Sequence, residues 1–394
     1  MKKKLTIIGA GIVGLATAYK FLKKYPSIDI EIIEKEGEVS AHQTGHNSGV
    51  IHSGIYYLPG SLKARNCKEG YRQLIEFCQE QNIKYELCGK LILATEKEEI
   101  PILHSLYQRG KTNGLENLKL LEKSQIKEYE PHAKGIKGIW VPQTGIIDYR
   151  EVSEKLKEII EEKGGKIIFN EKVIDIKAGI KPRIITSNNE YTSDFIINSA
   201  GLYSDKLAQK TSPVSHKIIP FRGEYYVLKP EKRILVRNLI YPVPNPEFPF
   251  LGVHFTRKIH GGVEAGPNAV LAFGSESYKK NQINWPELFE TLSYPGFLKV
   301  AAKYWKEGWD EMKRSYSKKL FTRSLQKMIP EIQEEDLVPG GSGIRAQAIT
   351  KEGKLVDDFL IIKEENILHI GNAPSPAATA SLSIADYIIE QLEF

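Results

Sequence analysis

The chain has 394 residues, which exceeds the usual size of one compact domain, so we expect two connected domains with sizeable cores. Apolar residues make up 41% and charged residues 26%, and this ordinary globular composition argues against long disordered segments. The three cysteines, Cys67, Cys78 and Cys88, form no CxxC pair, which excludes a disulfide scaffold and favours a reducing, cytoplasmic setting.

The N-terminus combines a basic start with an apolar run, as a secretory signal does. Gly9, Gly11 and Gly14 interrupt that run, however, and no small-residue cleavage site follows it. We therefore interpret residues 4–8 as a buried strand that enters a tight turn. No stretch reaches about 18 consecutive apolar residues, so we predict no transmembrane helix.

The first 35 residues follow the pattern of a parallel β-α-β unit. Strands are predicted at 4–8 and 28–33, on either side of a helix at 14–25 that Pro26 ends. Further helices are predicted at 61–82, 98–113, 149–163 and 285–328, with a last helix from about 378. Further strands are predicted at 87–95, 166–169, 178–186, 190–192, 194–198 and 367–370.

Two kinds of sheet follow from this order. Strands that alternate with helices predict a parallel, Rossmann-like sheet, whereas residues 217–275, with their glycine and proline turns, predict an antiparallel sheet. We expect an α/β fold of two domains. The dinucleotide-binding domain is assigned to 1–85, 145–215 and 335–394, and the domain built on the antiparallel sheet to 86–144 and 216–334.

The net charge of +6 is concentrated in one segment. Between Phe297 and Lys327, nine Lys and Arg residues stand against three acids and are interleaved with six aromatic residues. Such a composition fits a solvated helical face whose aromatic side chains pack inward, a helix on an anionic membrane surface, or a nucleic-acid patch. We expect the first of these, and we expect no nucleic-acid partner.

A glycine-rich turn follows the first predicted strand. Gly9-Ala10-Gly11-Ile12-Val13-Gly14 opens the first helix, and Glu34 follows the second strand. Gly9 permits the tight turn, Gly11 lets backbone N–H groups approach a pyrophosphate, and Gly14 lets the helix pack close to the strand. Glu34 is placed to accept hydrogen bonds from an adenosine ribose. Together these pieces predict a dinucleotide site.

Three other segments favour FAD over NAD as the dinucleotide. Residues 40–54, which include Gln43-Thr44-Gly45-His46-Asn47-Ser48, supply many small hydrogen-bond donors directly after the ribose acid. Ser199-Ala200-Gly201 and Gly371-Asn372-Ala373-Pro374 follow predicted strands and are expected at the same crevice, at the carboxyl ends of the parallel strands. Contacts from such distant segments suit a cofactor that stays bound throughout turnover.

The stretch from Gln43 to Tyr57, continued by 59–64, resembles the L-2-hydroxyglutarate oxidase/dehydrogenase family of the D-amino-acid-oxidase-like FAD-dependent oxidoreductases. The other matching blocks are 221–226, 251–257, 266–270, 343–347 and 371–379. The resemblance implies oxidation of L-2-hydroxyglutarate to 2-oxoglutarate by hydride transfer from carbon 2 to flavin N5, with electrons passed to oxygen or a membrane quinone. It also implies FAD contacts at Lys35, Val173, Gly343, Arg345, Ser375, Pro376, Ala377, Ala378 and Thr379.

Oxidation of a hydroxy acid requires a group that removes the hydroxyl proton. Because an alcohol is a weak acid, a histidine is the natural base. We expect His52, just beyond the flavin-facing loop, in this role, with His254 on the covering sheet as the alternative and His46 as a cofactor support.

A dicarboxylate substrate needs cations at both ends, and the planar guanidinium of arginine binds a carboxylate through two hydrogen bonds. The candidate cations are Arg257, Arg345, Lys63 and Arg65. The candidate hydroxyl contacts are Tyr56, Tyr57 and Thr256. We predict no bound metal.

Other functions stay open at this point. An enzyme of the same superfamily would act on an amino acid, a secondary amine or glycerol 3-phosphate. The basic aromatic segment would bind RNA, or dock the enzyme peripherally on the cytoplasmic face of a membrane that holds its quinone. His52 and the paired arginines favour a hydroxy dicarboxylate.

Overall fold

The computed structural model describes residues 2–245 and 250–392. The strands, numbered in chain order, are β1 (Lys4–Ile8), β2 (Asp29–Ile33), β3 (Val50–Ile51), β4 (Tyr85–Glu86), β5 (Lys90–Ala94), β6 (Lys119–Glu122), β7 (Lys137–Val141), β8 (Gly145–Ile147), β9 (Lys166–Ile168), β10 (Val173–Lys177), β11 (Arg183–Thr186), β12 (Glu190–Thr192), β13 (Phe195–Asn198), β14 (His216–Leu228), β15 (Leu239–Pro242), β16 (His254–Arg257), β17 (Val263–Gly266), β18 (Val270–Leu271), β19 (Leu337–Thr350), β20 (Leu360–Glu364) and β21 (Ile367–Asn372). The helices are α1 (Ile12–Lys24), α2 (Leu62–Glu80), α3 (Ile100–Thr112), α4 (Lys123–Tyr129), α5 (Tyr149–Glu162), α6 (Ser204–Ala208), α7 (Trp285–Leu292), α8 (Pro295–Lys303), α9 (Trp305–Tyr316), α10 (Lys318–Gln326) and α11 (Ser381–Glu390).

The first sheet has the strand order β20-β21-β13-β1-β2-β9. All of its pairings are parallel except that of β20 with β21. α1 begins directly after the glycine turn and buries Ile12, Leu15, Ala16 and Tyr19, whose spacing puts them on one helical face. Together with apolar side chains from α5 and α11 they form the core on this sheet. The Rossmann-like opening predicted from the sequence is confirmed.

The second sheet carries the antiparallel strands predicted within 217–275. Its order is β18-β14-β17-β16-β15-β5-β7-β6, and β19 also pairs with β14. One pairing, between β15 and β5, is parallel. One separate three-stranded sheet consists of β10 and the hairpin of β11 and β12. Another consists of β3, β8 and β4.

The assignment of residues 335–394 to the first domain needs a correction at β19. This strand pairs with β14 from Leu337 to Thr350, so it belongs to the second sheet. Its glycines and proline have low strand propensity, and pairing with a distant strand overrides that local preference. The other domain limits stay a prediction.

The helical stretch predicted at 285–328 forms the four helices α7 to α10. Phe297 and Phe321 are buried, but the expectation that the aromatic side chains of this segment pack inward is wrong for Trp305, Trp309 and Tyr316, which are 62%, 59% and 68% exposed. Their side chains lie on the solvent side of α9, away from the core. Within the described part of the chain, no helix has the length and apolar character needed to cross a bilayer.

Candidate active site

The carboxyl ends of β1, β2, β13 and β21 meet at one edge of the first sheet, because these strands run parallel. A cavity of about 1070 Å³ opens there, large for a ligand site. The turns after these strands line one part of it, and His254, Tyr241 and Arg345 from the second sheet line another. The cavity therefore joins the two sheets.

The glycine turn has a shape that only glycine adopts without strain. Gly9 has a φ of +101°, and a Cβ there would lie 2.7 Å from the carbonyl oxygen of Ser199. A Cβ on Gly14 would lie 2.1 Å from the carbonyl oxygen of Gly9. The glycines thus allow the turn, α1 and the end of β13 to pack closely. The start of α1 stays open to the cavity, and a pyrophosphate requires such access to the backbone N–H groups there.

Glu34, predicted to meet the adenosine ribose, lines the cavity beside the glycine turn. Its Oε2 accepts a hydrogen bond from the Ala10 N–H at 2.7 Å, and its Oε1 accepts one from the Glu36 N–H at 3.0 Å. Each oxygen keeps a lone pair for a ribose hydroxyl. On the opposite side, Thr44 Oγ1 accepts a hydrogen bond from the Ile12 N–H at 3.1 Å, which ties the 40–54 segment to the glycine turn.

Most residues predicted to contact the cofactor line this cavity. They are Gly9, Gly11, Ile12, Val13, Glu34, Lys35, Gln43, Thr44, His46, Asn47, Ser48, Val173, Ser199, Ala200, Gly201, Gly343, Arg345 and residues 371–378. Ala10, Gly14, Gly45 and Thr379 lie outside the lining. Thr379 lies behind the lining. Its hydroxyl forms a hydrogen bond with Tyr149 Oη at 2.7 Å and accepts one from the backbone N–H of His52 at 3.1 Å.

The lining is electropositive. It includes seven Lys and Arg residues and four Asp and Glu residues. A site of this charge, with an acid at the ribose and exposed N–H groups at a helix start, fits an FAD pyrophosphate together with an anionic substrate.

His52 lines the cavity, and its imidazole forms no hydrogen bond with the residues that the structure describes. Its backbone is fixed by Thr379 and by the Sγ of Cys67, which donates to the His52 carbonyl at 3.3 Å. Burial lowers the pKa of His52 to about 3, and the positive charges of Lys90 and Arg345 act in the same direction. The free imidazole is therefore neutral near pH 7 and able to accept a proton.

His254 lines the same cavity but is held more tightly. Its Nδ1 lies 2.9 Å from the carbonyl oxygen of Gly252, so in the neutral ring Nδ1 carries the hydrogen and Nε2 has the free lone pair. Burial lowers the pKa of His254 to about 3 against the raising effect of that bond, and Lys90 and Arg345 lower it further. Both candidate bases are therefore neutral.

The structure brings only some of the predicted substrate residues to the cavity. Arg345, Lys63, Tyr56 and Tyr57 line it. Burial lowers the pKa of Lys63, and the charges of Asp357 and Asp358 oppose that shift. Arg345 has its guanidinium carbon 5.7 Å from the ring centroid of Phe250.

Arg257, Arg65 and Thr256 lie outside the lining. Arg257 donates hydrogen bonds to both carboxylate oxygens of Glu86, at 3.0 and 2.9 Å. Its guanidinium group is therefore already engaged by a carboxylate of the protein. Arg65 is exposed on α2, and Thr256 is buried in β16.

Sequence reasoning missed several residues of the site. Tyr225, Tyr241 and Arg109 line the cavity, and Arg109 donates to the Tyr56 carbonyl at 2.9 Å. Lys90 lies just behind the lining and is 1% exposed. A lysine at the start of the otherwise apolar strand 90–94 was the available signal, since a buried lysine is rare without a partner.

Comparisons with known proteins agree with this geometry. A family model described as FAD dependent oxidoreductase matches residues 4–391. An L-2-hydroxyglutarate dehydrogenase of Indibacter alkaliphilus is 55% identical over 393 residues, covering 99% of this chain and 98% of the relative. The mitochondrial L-2-hydroxyglutarate dehydrogenase of Homo sapiens is 42% identical, covering 99% of this chain and 88% of the relative.

Solved structures show the same fold at low sequence identity. L-alpha-glycerophosphate oxidase from Mycoplasma pneumoniae with FAD bound has a TM-score of 0.81 at 22% identity, covering 100% of this chain and 95% of that one. Glycine oxidase from Geobacillus kaustophilus has a TM-score of 0.74 at 15% identity, covering 100% and 96%.

The chain therefore belongs to the FAD-dependent oxidoreductases, and FAD is its cofactor. It is an enzyme that acts on a CH–OH group. Within this class, the similarity along nearly the whole chain places it in the L-2-hydroxyglutarate dehydrogenase family.

Proposed function

We propose that the enzyme oxidises L-2-hydroxyglutarate to 2-oxoglutarate in the cavity between the two sheets. The observation that carries the proposal is that two neutral histidines and two cations, Arg345 and Lys63, line the same cavity as the FAD cradle. The names of the relatives support the choice of substrate. FAD, when bound, supplies the acceptor for the hydride from carbon 2.

His52 is the proposed proton acceptor. As the C2–H bond breaks and its electron pair leaves with the hydrogen, the hydroxyl O–H bond breaks and its proton passes to an imidazole nitrogen, so that a carbonyl forms. His52 suits this step because its ring is neutral and forms no hydrogen bond with the described residues that a substrate must displace. His254, fixed by Gly252, orients the hydroxyl or carboxylate instead.

The cations are proposed to hold the two carboxylates. Arg345 lines the cavity together with His52 and His254, and its charge adds to the effect of burial in lowering the pKa of both histidines. We assign it to the carboxylate beside carbon 2, because a guanidinium fork fixes the plane of that group. Lys63, with the Tyr57 ring centroid 5.7 Å from its Nζ, is assigned to the distal carboxylate.

Anaerobic flavin bleaching tests the substrate. The FAD-loaded enzyme is mixed with L-2-hydroxyglutarate, D-2-hydroxyglutarate, glycine, proline or glycerol 3-phosphate while the flavin absorbance is followed. We expect rapid bleaching by L-2-hydroxyglutarate alone. Bleaching by an amine or by glycerol 3-phosphate, without bleaching by L-2-hydroxyglutarate, would overturn the proposal.

The electron acceptor is proposed to be a membrane quinone, reached by peripheral docking on the cytoplasmic face. Support comes from seven exposed aromatic or leucine side chains on three consecutive helices, which we call the aromatic surface: Trp285, Phe289, Leu292, Leu298, Trp305, Trp309 and Tyr316. Positions 285, 289 and 292 share one face of α7. Exposed Lys303 and Lys306 lie among them and pair with no carboxylate of the described residues. Aromatic and basic side chains together suit an anionic lipid surface.

Vesicle flotation tests this surface. The holoenzyme is floated with phosphatidylcholine vesicles that contain about 30% phosphatidylglycerol, and with pure phosphatidylcholine vesicles. We expect flotation with the anionic vesicles only, and its loss in W305S/W309S. The matched control is I180S/I234S, which replaces two exposed apolar residues elsewhere, 94% and 74% exposed, and should float as the wild type does.

Three outcomes would contradict the docking proposal. The first is absence of flotation by the wild type. The second is rapid oxygen consumption during turnover, which would make oxygen the acceptor. The third is self-association that W305S/W309S abolishes, which would make the aromatic surface an interface between copies of the chain.

A further inference from the structure

Lys90 is a buried lysine that has no counter-charge among the residues that the structure describes. It begins β5 and is 1% exposed. Its Nζ lies 4.0 Å from the ring centroid of Tyr241 and 5.2 Å from that of Tyr56. Among the residues described by the structure, no carboxylate forms an ion pair or a hydrogen bond with it. A charge removed from water in this way is unfavourable for folding, so its presence requires another explanation.

The groups around Lys90 are neutral near pH 7. They are the thiols of Cys67 and Cys88, the phenols of Tyr56 and Tyr241, and the imidazoles of His52 and His254. Burial raises the pKa of each thiol and phenol and lowers the pKa of each imidazole. Among the described residues no anion offsets the lysine charge, and before a ligand enters only the faces of the Tyr241 and Tyr56 rings attract it.

Both aromatic partners of Lys90 face the ligand. Tyr56 and Tyr241 line the cavity, whereas Lys90 stands one layer behind them. Tyr241 also stacks on His254, with ring centroids 3.8 Å apart. A positive charge at this depth reaches an anion in the cavity with little screening, because the intervening medium is protein rather than water.

We infer that Lys90 is a positioning residue whose buried positive charge, acting from behind Tyr56 and Tyr241, draws the carboxylates of the substrate into the cavity. The inference rests on the proposed function, which makes the substrate a dianion. Arg345 and Lys63, which line the cavity, contribute the charges that contact the carboxylates directly. Burial keeps His52 and His254 neutral, and the lysine charge acts in the same direction.

The test is Lys90→Met, which keeps the length of the side chain and removes its charge. We expect KM for L-2-hydroxyglutarate to rise by about tenfold or more while kcat changes less. FAD content should stay the same, and thermal stability should not fall, because an unpaired buried charge has been removed. The matched control is Lys97→Met, an exposed lysine outside the cavity, which should leave KM unchanged.

A pH titration separates this role from a packing role. Burial lowers the pKa of Lys90 to about 7 in the empty site. The affinity of the wild type for 2-oxoglutarate, read from the flavin spectrum, should therefore fall as the pH rises above 7. In Lys90→Met this fall should be absent or much smaller.

An unchanged KM in Lys90→Met would overturn the inference. If that variant does not fold, the wild type decides the matter, because an affinity that does not vary between about pH 6 and pH 9 also overturns it. The two proposals fail separately. Absence of flavin reduction by L-2-hydroxyglutarate removes the proposed substrate, whereas normal reduction without any effect of Lys90 removes only the inference.

Discussion

The rings of His254 and Tyr241 stack in the cavity, with their centroids 3.8 Å apart and their planes at 24°. Since Nδ1 of His254 also bonds to the Gly252 carbonyl, this imidazole is held by two contacts. His52 has no comparable side-chain contact within the described residues. These two histidines are therefore distinguished by how firmly the protein holds them, and we propose different roles for them on this ground.

The first prediction concerns the base. His52→Ala should keep its FAD, because no cofactor support is lost, and should slow anaerobic flavin reduction by about 10²- to 10⁴-fold. His254→Asn should slow it less, because an asparagine amide can still donate to Gly252. Stopped-flow absorbance measures both rates. Near-normal reduction in His52→Ala, with a large loss in His254→Asn, would exchange the two roles.

The second prediction concerns Arg345. Arg345→Lys keeps the charge but loses the fork, so KM for L-2-hydroxyglutarate should rise by about tenfold or more. Arg257→Lys is the matched control, because Arg257 is already held by Glu86 outside the cavity. Steady-state kinetics with an artificial electron acceptor measures both. Equal effects in the two variants would argue against a specific role for Arg345.

The third prediction concerns pH and stability. The pKa of His254 is about 3 in the folded protein and about 6.5 in the unfolded chain, so between these values the unfolded chain binds more protons. The free energy of unfolding therefore falls as the pH drops below 6.5. His254 alone accounts for a loss of about 2 kcal/mol at pH 5.

Denaturant unfolding at pH 7 and pH 5, with FAD at saturation, measures the contribution of His254 to the free energy of unfolding. The loss between the two pH values should be smaller in His254→Asn than in the wild type by about 2 kcal/mol. Equal losses would mean that His254 is not kept neutral by the fold.

The fourth prediction concerns the cradle. A Cβ on Gly11 would lie 3.4 Å from Thr44 Oγ1, an ordinary contact, so Gly11→Ala should fold. Because Gly11 lines the cavity at the predicted pyrophosphate position, we expect the added methyl group to lower FAD affinity by about tenfold or more. Fluorescence titration of the apoprotein with FAD measures this.

Gly308→Ala is the control for that titration, because Gly308 lies in α9, outside the cavity lining, and its added Cβ meets no described atom within 4 Å beyond its own helix backbone and chain neighbours. Its FAD affinity should equal that of the wild type. Unchanged affinity in Gly11→Ala would place the pyrophosphate away from this turn.

The sequence by itself determined the dinucleotide cradle. Gly9, Gly14 and Glu34 act within one β-α-β unit, where the spacing of residues along the chain defines their spacing in the fold. The same is true of most helices, whose apolar periodicity is a local property. FAD as cofactor also followed from the sequence, through the segments that end the parallel strands.

The tertiary structure decided what depends on residues far apart in the chain. Glu86, 171 residues away, holds Arg257 outside the cavity, while β19 pairs with β14 and brings Arg345 in. The exposure of the aromatic side chains of α9 and the burial of Lys90 are likewise set by packing against distant elements. Periodicity shows that one face of a strand or helix differs from the other, but the partner that covers each face is chosen only when the whole chain folds.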